Sequence, residues 1–413
     1  MLSAKFRHVP FMVAALSVTA TLPTDESIAA LCDSTSRGLV PLTQMTGAYL
    51  GQPGGLYPGG VNVPPSEHDS AGQSLAASYI ALDTLGQEDA NGRWVLLSVG
   101  MSNCTQEFSR FVLDIAGDTA LHPNLRIVDG AQGGQTAARI KYDTATFWLV
   151  AANRLRAQGL HPLQVQAIWL KEANAGPTNP FPGHAITLRD DLRGVVQVAK
   201  AKYPNLRQIF LSSRIYAGYA STTLNPEPYA YESGFSVRWL IESQINGLDS
   251  LNYNPAIGDV RTSWLAWGPY LYTDGIIPRD GDSLQWFCAD VQPDGTHPSP
   301  SGVIKVSQLL EVFFKTSPYA IPWFLKPSAP VCACDCHADP VCDQIKSNVQ
   351  DVVSTINVAF RGALPLDDPN TACPYSTTDV DCSTATDVLD VVKVVNVAFR
   401  NTDPATEFCD PCP

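Results

Sequence analysis

Short apolar runs alternate with longer amphipathic stretches from residue 94 onward, and this alternation restricts the folds that the chain can adopt. Four runs of four to six residues, each bounded by loop or turn residues, are predicted to be strands: 94–99, 125–128, 165–170 and 208–212. Segments with helical spacing and length occupy 108–116, 145–158 and 185–203. Because parallel strands that alternate with helices are joined by right-handed crossovers, the sequence predicts an α/β domain whose parallel sheet has helices on both faces.

Candidate catalytic residues follow the apolar runs, and ligands of parallel sheets bind beyond the carboxyl ends of the strands. Ser102 comes directly after the first run, at a turn that can expose its hydroxyl. Far downstream, Asp294-Gly-Thr-His297-Pro298 sets a carboxylate three residues before an imidazole. An aspartate at this spacing can hold the Nδ1–H of the ring, which leaves Nε2 free to take a proton from a serine. The pattern indicates a serine hydrolase with Ser102 as nucleophile, His297 as base and Asp294 as the partner of the base.

Donors for a developing oxyanion follow the next two runs. The segment Gly130-Ala-Gln-Gly-Gly134 offers backbone N–H groups that no Cβ obstructs. Asn174 follows the third run and offers a side-chain N–H. Such donors stabilise the negative charge that develops on the carbonyl oxygen when a serine attacks an ester.

The order of these elements resembles that of the SGNH (GDSL-type) hydrolases. These have a serine after the first strand, a glycine after the second, an asparagine after the third and a late Asp-x-x-His-Pro. The resemblance covers about residues 93–310. It implies a flavodoxin-like three-layer α/β/α fold and the cleavage of esters, often acetyl groups on carbohydrates. It also implies that Gly134 and Asn174 complete the oxyanion hole, with the backbone N–H of Ser102 as a third donor.

Two positions differ from the family pattern. Gly134 is assigned by matching Gly-Gln-Thr at 134–136 to the Gly-Asp-Thr of the family, and Gly130 and Gly133 are alternatives. Met101 stands where the family has an aspartate immediately before the serine. That aspartate ties down the loop and is not a member of the triad, so its replacement need not abolish the chemistry.

A stretch between residues 212 and 235 is unusually rich in tyrosine, arginine and asparagine for a core. Such side chains stack on polar ligands and form hydrogen bonds with them. Arg214, Tyr216 and Asn225 are therefore candidate substrate-binding residues. A tyrosine-anchored loop without a ligand is the alternative.

The last fifth of the chain differs in composition from the rest. Residues 331–413 contain 13 Asp and Glu against 4 Lys and Arg, so they carry −9 of the net charge of −13. Eight of the eleven cysteines also lie there: Cys332, Cys334, Cys336, Cys342, Cys373, Cys382, Cys409 and Cys412. This density predicts a disulfide framework in an exported protein. A zinc site built from Cys332, Cys334, Cys336 and His337 is the alternative.

Two further expectations concern boundaries and the remaining cysteines. Prolines at 318, 322, 327 and 330 mark a stiff connection, which predicts a hydrolase domain at 31–326, a linker at 327–337 and a C-terminal domain at 338–413. Cys104 and Cys288 lie near Ser102 and His297 in the sequence. They are expected either to bridge the rim of the site or to be two unrelated buried thiols.

The N-terminus and the charge bear on the compartment. Lys5, Arg7 and His8 precede a short apolar segment and a Val-Thr-Ala at 18–20, which predicts a secretory signal within residues 1–30. A disordered extension is the alternative. No apolar stretch is long enough to span a bilayer, and the negative charge argues against nucleic acid or an anionic membrane surface as the main partner. We therefore expect an extracellular or cell-surface protein.

The C-terminal segment contains an internal repeat. Residues 351–361 and 390–400 match almost residue for residue at a separation of 39. Each copy predicts a short amphipathic helix, and two such helices should pack on each other. The predicted apolar stripes are Val352, Ile356 and Phe360 in the first helix and Val391, Val395 and Phe399 in the second.

The twelve residues 379–390 match the spacing of a calcium-binding loop. Oxygen side chains occupy positions 1, 3, 5, 9 and 12, and a backbone carbonyl occupies position 7. The predicted ligands are Asp379, Asp381, Ser383, Asp387 and Asp390 with the carbonyl of Ala385. Thr384 replaces the usual glycine at position 6.

The repeated loop and helix resemble a dockerin over about residues 338–400. The resemblance implies a cohesin-like protein partner and bound calcium. In the first copy, a loop of twelve residues that ends at Asp351 puts Pro340 and Cys342 at ligand positions. We therefore expect one calcium ion, and an acidic disulfide-stapled appendage without metal is the alternative.

These patterns together predict a secreted serine ester hydrolase that acts on acylated carbohydrate or another polar ester. No cofactor is expected for catalysis. One alternative is a catalytically silent carbohydrate-binding protein of the same fold. Another is an extracellular surface or assembly protein in which the C-terminal segment is the functional part.

Overall fold

The computed structural model describes residues 29–327 and 334–412. They belong to two compact units, one reaching to Asp118 and continuing over Asn124–Ala320, the other formed by Thr119–Pro123 and the chain from Ile321 onward. We call these the sheet unit and the tail unit. The division falls at Ala320, a few residues before the expected boundary near 326. The predicted signal segment up to residue 28, together with Cys332 and the linker residues 328–333, lies outside the described residues.

A five-stranded parallel sheet forms the centre of the sheet unit. A small antiparallel hairpin, β1 (Ala48–Tyr49) and β2 (Gln52–Pro53), precedes it. The strands of the sheet are β3 (Trp94–Gly100), β4 (Leu125–Val128), β5 (Val165–Lys171), β6 (Gln208–Ser212) and β7 (Trp264–Trp267). Their order across the sheet is β4-β3-β5-β6-β7. This is the flavodoxin-like order, and it confirms the predicted fold class.

Helices cover both faces of the sheet. They are α1 (Ser66–Ala76), α2 (Ser102–Asp114), α3 (Ala137–Ile140), α4 (Thr146–Arg156), α5 (Gly183–Lys202), α6 (Tyr229–Ile245) and α7 (Pro300–Thr316). The chain goes from β3 to β4 in one direction across the sheet and from β5 to β6 in the other. Because both crossovers are right-handed, α2 and α5 lie on opposite faces of the sheet. Helix α2 packs against α7, and α5 packs against α6.

Aromatic side chains join the sheet to the layer formed by α2 and α7. Trp169 and Phe210 are paired in register on neighbouring strands, so their side chains point to the same face. Phe108 of α2 stacks on Trp169, and Phe314 of α7 packs edge-to-face against Phe210. This packing fixes α2, the helix that begins at Ser102, against the centre of the sheet.

The tyrosine-rich stretch does not form an exposed rim. Its second half begins α6, and Tyr231 and Phe235 are buried there. Tyr231 donates its hydroxyl proton to the carbonyl of Val40 at 2.9 Å. The hydroxyl of Tyr231 thus has an acceptor inside the protein, which allows its ring to pack in the core. The sequence patterns also did not predict β7, whose four residues are all buried.

The tail unit contains α8 (Ile321–Phe324), α9 (Val349–Arg361), α10 (Val388–Arg400) and α11 (Pro404–Glu407). Helices α9 and α10 pack on each other around a small core of Ala338, Val352, Val380 and Val394. Phe360 and Phe399, which were predicted to join this contact, are 60% and 59% exposed. Residues four apart in a helix are separated by about 400° around its axis, which is about 40° more than a full turn. The third residue of each predicted stripe therefore lies about 80° away from the first and no longer faces the other helix.

Disulfides account for most of the described cysteines, which confirms the predicted disulfide framework. The pairs are Cys32–Cys288, Cys334–Cys373, Cys336–Cys342 and Cys382–Cys409, and Cys412 is also disulfide-bonded. Because Cys334 and Cys336 are oxidised, the zinc alternative is wrong. A bridge between Cys104 and Cys288 is also wrong, since Cys104 is a free thiol buried under β3 with its Sγ toward the Val99 carbonyl.

None of the helices in the described ranges is both long and apolar enough to span a bilayer.

Candidate active site

A tight turn between β3 and α2 presents Ser102. Strand β3 ends at Gly100, Met101 has extended backbone geometry, and Ser102 is the first residue of α2. A Cβ at Gly100 would lie 2.4 Å from the carbonyl oxygen of Lys171, so only glycine fits there. As the first residue of a helix, Ser102 also keeps its backbone N–H outside the intrahelical hydrogen bonds.

The structure brings Ser102, His297 and Asp294 into one hydrogen-bonded chain. The Oγ of Ser102 lies 2.7 Å from Nε2 of His297. The Nδ1 of His297 lies 2.5 Å from Oδ2 of Asp294. The other carboxylate oxygen accepts the backbone N–H groups of Thr296 and His297, both at 3.0 Å. This short loop therefore orients the imidazole with its Nε2 toward the serine.

The pKa of Asp294 supports its role as an ionised partner of the imidazole. Partial burial acts to raise this pKa, but hydrogen bonds from the His297 side chain and from the two backbone N–H groups outweigh it. The pKa of Asp294 therefore lies below its usual value. An ionised carboxylate at Nδ1 stabilises the imidazolium that forms when Nε2 takes a proton.

Asn103 and Arg214 link the serine helix to the histidine loop. The amide of Asn103 donates to the carbonyl of Thr296 at 3.2 Å. Its Oδ1 accepts a hydrogen bond from Nη1 of Arg214 at 2.8 Å. Arg214 is only 2% exposed, so this contact is shielded from water. The sequence singled out Arg214 as a substrate contact, but no local pattern pointed to Asn103 or to this bridge.

Gly134 and Asn174 lie at the same cavity as Ser102 and His297. Gly134 has a φ of +71°, and no acceptor in the described residues bonds its N–H. By contrast, the N–H of Gly130 donates to Ser98 Oγ at 3.1 Å, and Gly133 does not line the cavity. Of the three glycines considered, Gly134 is thus the one that lines the cavity with an N–H that no described acceptor bonds.

The side chain of Asn174 is held in a fixed orientation. Its Oδ1 accepts the N–H of Ala138 at 3.0 Å, and its Nδ2 donates to Asp191 at 2.7 Å. Asp191 also pairs with Lys141 at 2.6 Å. Since a primary amide has two N–H donors, one remains for a ligand in the cavity.

Asp129, which the sequence patterns did not single out, anchors the serine helix where Met101 cannot. It directly follows β4 and accepts hydrogen bonds from Ser98 at 2.5 Å, from Ser109 at 2.9 Å and from Thr105. Thr105 and Ser109 lie on α2, so the carboxylate ties the first turns of this helix to the end of β4. The residue that directly follows β4 thus supplies the carboxylate that anchors the start of α2.

A buried ion pair lies behind the serine helix. Nζ of Lys171 lies 2.5 and 2.6 Å from the two carboxylate oxygens of Glu107, and both side chains are almost completely buried. Burial raises the pKa of Glu107 and lowers that of Lys171, while their mutual attraction opposes both shifts. The neighbouring Glu172 has a pKa well above its usual value because it is buried. These groups position α2 against β5 and do not line the cavity.

The cavity at Ser102 has a volume of about 680 Å³. Arg214 and Asn225, two of the three predicted substrate-binding residues, line it together with Leu224 and Arg139. The third prediction, Tyr216, is wrong. Its ring is buried in the core, and its hydroxyl donates to the Ser34 carbonyl at 2.7 Å.

In the tail unit, three of the predicted calcium ligands form a cluster. Carboxylate oxygens of Asp379, Asp381 and Asp390 lie within 4.8 Å of one another. Burial, followed by repulsion from the neighbouring carboxylates, raises the pKa of Asp379 and of Asp390. Ser383 instead donates to the carbonyl of Ala385 at 3.0 Å, and Asp387 caps α10 by accepting the N–H of Leu389 at 2.7 Å.

The loop in the first copy of the repeat has the same hydrogen bonds to its first aspartate. Asp339 accepts the N–H groups of Asp343 and Gln344, as Asp379 accepts those of Ser383 and Thr384. The loop therefore starts at Asp339 and contains one more residue than the second copy. The expectation that Pro340 and Cys342 occupy ligand positions is wrong for this reason.

Comparison with known proteins gives distant structural similarities. No protein-family model and no curated protein matches the sequence. A proposed acylhydrolase of Bacteroides fragilis NCTC 9343 is 13% identical with a TM-score of 0.32, over 58% of this chain and 91% of that one. The periplasmic domain of a lipopolysaccharide acetyltransferase of Salmonella ser. Paratyphi A is 12% identical with a TM-score of 0.29, over 60% and 96%. A salicylyl-acyltransferase from a tetracycline biosynthetic pathway is 18% identical with a TM-score of 0.27, over 56% and 58%. Similarities at this level assign no activity to the chain.

Proposed function

We propose that the sheet unit is a serine ester hydrolase with Ser102 as nucleophile, His297 as general base and Asp294 as the residue that orients the base. The observation that carries this proposal is the unbroken hydrogen-bonded chain from Asp294 through His297 to Ser102. Nucleophile, base and orienting group within hydrogen-bond reach are the features that activate a serine hydroxyl.

In the proposed reaction, Ser102 Oγ attacks the carbonyl carbon of the ester while its proton moves to Nε2 of His297. The negative charge that develops on the carbonyl oxygen is stabilised by the N–H groups of Ser102 and Gly134 and by Nδ2 of Asn174. The tetrahedral intermediate collapses as Nε2 returns the proton to the leaving alcohol oxygen. An acyl ester on Ser102 remains.

The same groups catalyse hydrolysis of the acyl ester on Ser102 by water. His297 takes a proton from a water molecule, whose oxygen attacks the acyl carbon. Collapse of the second tetrahedral intermediate returns the proton from His297 to Ser102 Oγ and releases a carboxylic acid. Asp294 stays ionised throughout and stabilises the imidazolium in both halves of the reaction.

The proposed substrate is an acylated carbohydrate or a polar ester of similar size. The cavity is much larger than an acetyl group requires, and amide and guanidinium groups line it beside Leu224. Such a lining provides donors and acceptors for a polar alcohol portion. We further propose export of the protein, because disulfides such as Cys32–Cys288 persist in oxidising compartments.

The test of the catalytic proposal is release of acetate from acetylated xylan and of p-nitrophenol from p-nitrophenyl acetate. The Ser102→Ala variant should lose at least about 10³-fold in kcat, because it removes the attacking oxygen. Ser74→Ala, an exposed serine on α1, is the matched control and should keep full activity. Equal turnover by Ser102→Ala and the wild type would refute the mechanism. Binding of glycan without any turnover would instead favour the silent carbohydrate-binding alternative.

For the tail unit, we propose one calcium ion held by Asp379, Asp381 and Asp390 and a cohesin-like protein partner. Three clustered carboxylates suit a hard divalent cation, which would cancel their mutual repulsion and order the loop before α10.

Calcium should raise the melting temperature of the tail unit in the full chain. The Asp381→Ala, Asp390→Ala variant should lose that response, whereas Asp335→Ala, Asp367→Ala, with the same change in charge at exposed positions, should keep it. No response to calcium in the wild type would refute the site.

A further inference from the structure

A second cavity, of about 180 Å³, shares part of its wall with the cavity at Ser102. Asn174 and Asn225 line both, so a ligand at Ser102 that extends past these two residues enters the second cavity. The remaining wall includes Thr178, Asn179, His184, Thr187 and Tyr229.

Asn225 has an unused acceptor at the junction of the two cavities. The residue is 5% exposed, and its Nδ2 donates to the carbonyl of Asn174 at 3.2 Å. Its Oδ1 is buried, and no hydrogen-bond partner for it occurs in the described part of the chain. A buried acceptor without a donor costs free energy, which a ligand O–H group placed here would recover.

His184 offers a second acceptor on the same wall. Its Nε2 contacts Glu232, and that carboxylate also accepts the hydroxyl of Tyr49 at 2.6 Å. The carboxylate at Nε2 makes that nitrogen the donor, which leaves Nδ1 as the acceptor of the Nε2–H tautomer. Within residues 29–327 and 334–412, no protein group bonds Nδ1. Tyr229 packs edge-to-face on the imidazole at 4.7 Å and holds it from the other side.

The chemistry of the wall selects the class of ligand. Among the residues that the structure describes, no Lys, Arg, Asp or Glu side chain lines the second cavity. A carboxylate or phosphate would therefore lose its hydration without gaining a cation, and an ammonium group would find no carboxylate. Amides, hydroxyls, an imidazole and one aromatic ring instead match a neutral ligand with many O–H groups.

We infer that the second cavity is a subsite for a neutral sugar ring, with Asn225 Oδ1 and His184 Nδ1 as acceptors for its hydroxyl groups. The inference rests on the proposed function for the role of the neighbouring cavity and narrows its substrate to esters of uncharged carbohydrate. The sugar in this subsite is the one that bears the ester or its immediate neighbour.

Binding tests the subsite without depending on turnover. The Ser102→Ala full chain is titrated with xylotriose, cellotriose, mannotriose and, as an anionic counterpart, trigalacturonate, and binding is followed by saturation-transfer-difference NMR. At least one neutral trisaccharide should bind more tightly than trigalacturonate. Adding Thr187→Trp, which fills the cavity from the exposed side of α5, should weaken that binding about tenfold or more. Ile186→Trp, the next residue on the same helix but outside the wall, should leave it unchanged.

Three other outcomes would refute the proposed subsite. It is wrong if none of the neutral trisaccharides binds, if trigalacturonate binds more tightly than all of them, or if Thr187→Trp and Ile186→Trp bind equally well. Its failure can be told apart from failure of the hydrolase proposal, since p-nitrophenyl acetate hydrolysis by the chain with native Ser102 reports on the latter alone. For acetylated xylan, Thr187→Trp should mainly raise KM, because it removes binding of a remote part of the substrate.

Discussion

The folds of the two units are stabilised in different ways. The sheet unit buries a large aromatic and aliphatic core around β3, β5 and β6, and Cys32–Cys288 is its one disulfide among the described residues. Beyond α8, whose Trp323 and Phe324 are buried, the core of the tail unit around α9 and α10 consists of four small or medium side chains, and three disulfides with both partners described lie in the same stretch of chain. Small domains that bury little apolar surface generally need crosslinks or metals to compensate.

The same contrast extends to buried polar groups. In the sheet unit, buried polar side chains such as Asn103 and Arg214 connect elements that carry the site. In the tail unit, buried carboxylates such as Asp339 and Asp379 hold the backbone of a loop. Buried carboxylates hold the backbone in both units, as Glu227 does in the sheet unit, but only in the sheet unit do buried polar side chains also connect the elements that carry the candidate active site.

The largest expected effect concerns the orientation of the base in the sheet unit. Asp294→Asn should lower kcat for p-nitrophenyl acetate by about 10⁴-fold, because an amide favours the wrong tautomer of His297 and cannot stabilise the imidazolium. The fold should stay intact by circular dichroism. Asp143→Asn, an exposed control, should be as active as the wild type. A loss of less than tenfold in Asp294→Asn would show that the carboxylate does not act through the imidazole.

The second prediction concerns the crosslinks of the tail unit. Replacing Cys334 and Cys373 by serine should destabilise this unit by about 4 kcal/mol, since the bond closes a loop of 39 residues. Faster hydrogen exchange in α9 and α10, with no change in esterase activity, is the expected result. Thr371→Ala, beside Cys373 and exposed, should exchange like the wild type. Unchanged protection in the double serine variant would mean that the small core suffices.

The third prediction concerns a buried carboxylate of the sheet unit that is not part of the site. Burial raises the pKa of Glu227 to about 7, although its oxygens accept the N–H groups of Ala217 and Tyr231. The folded state therefore binds this proton more tightly than the unfolded state. Protonated Glu227 therefore stabilises the folded state. This stabilisation is fully present below the pKa that Glu227 has in the unfolded chain, and it is lost as the pH rises through about 7.

Glu227→Gln removes this titration. Relative to the wild type, the variant should gain about 3 kcal/mol of unfolding free energy between pH 4.5 and 8, even if it is less stable at acid pH. Urea unfolding at several pH values measures the difference. A constant difference across this range would show that Glu227 does not titrate there, and that the core of the sheet unit tolerates its charge.

The smallest expected effect concerns the bridge between the serine helix and the histidine loop. Asn103→Ala should lower kcat by about tenfold with little change in KM, because its main effect is to misplace His297 relative to Ser102, although Asn103 also lines the cavity. Asn153→Ala, on the exposed side of α4, is the matched control. If KM rises and kcat does not fall, Asn103 binds substrate and is not a positioning residue.

Local patterns predicted the parts of the molecule that depend on neighbours in the sequence. Runs of apolar residues located β3 to β6 within one residue at each end, and the three-residue spacing of Asp294 and His297 anticipated their contact. Helix α6 was not predicted, because Ser233 and Gly234 interrupt its pattern. Gly234 fits there because a Cβ would approach Leu42 to 2.9 Å, a contact that no local pattern contains.

Apart from Ser102 and His297, which the order of the strand ends and the resemblance brought together, several long-range partners were not predicted for the same reason. The pairing of Cys288 with Cys32 and not with Cys104, the anchoring of α2 by Asp129 and the burial of Tyr216 all depend on segments distant in the chain. A tyrosine near a predicted site can line it or support it, and only the position of its hydroxyl acceptor distinguishes the two.

The bond between Cys32 and Cys288 joins positions 256 residues apart. During synthesis the ribosome delivers Cys32 before any strand of the parallel sheet and Cys288 after all five. This crosslink therefore cannot close on a growing chain until every strand has emerged. Any strand pairing that forms on the growing chain before then rests on noncovalent forces alone.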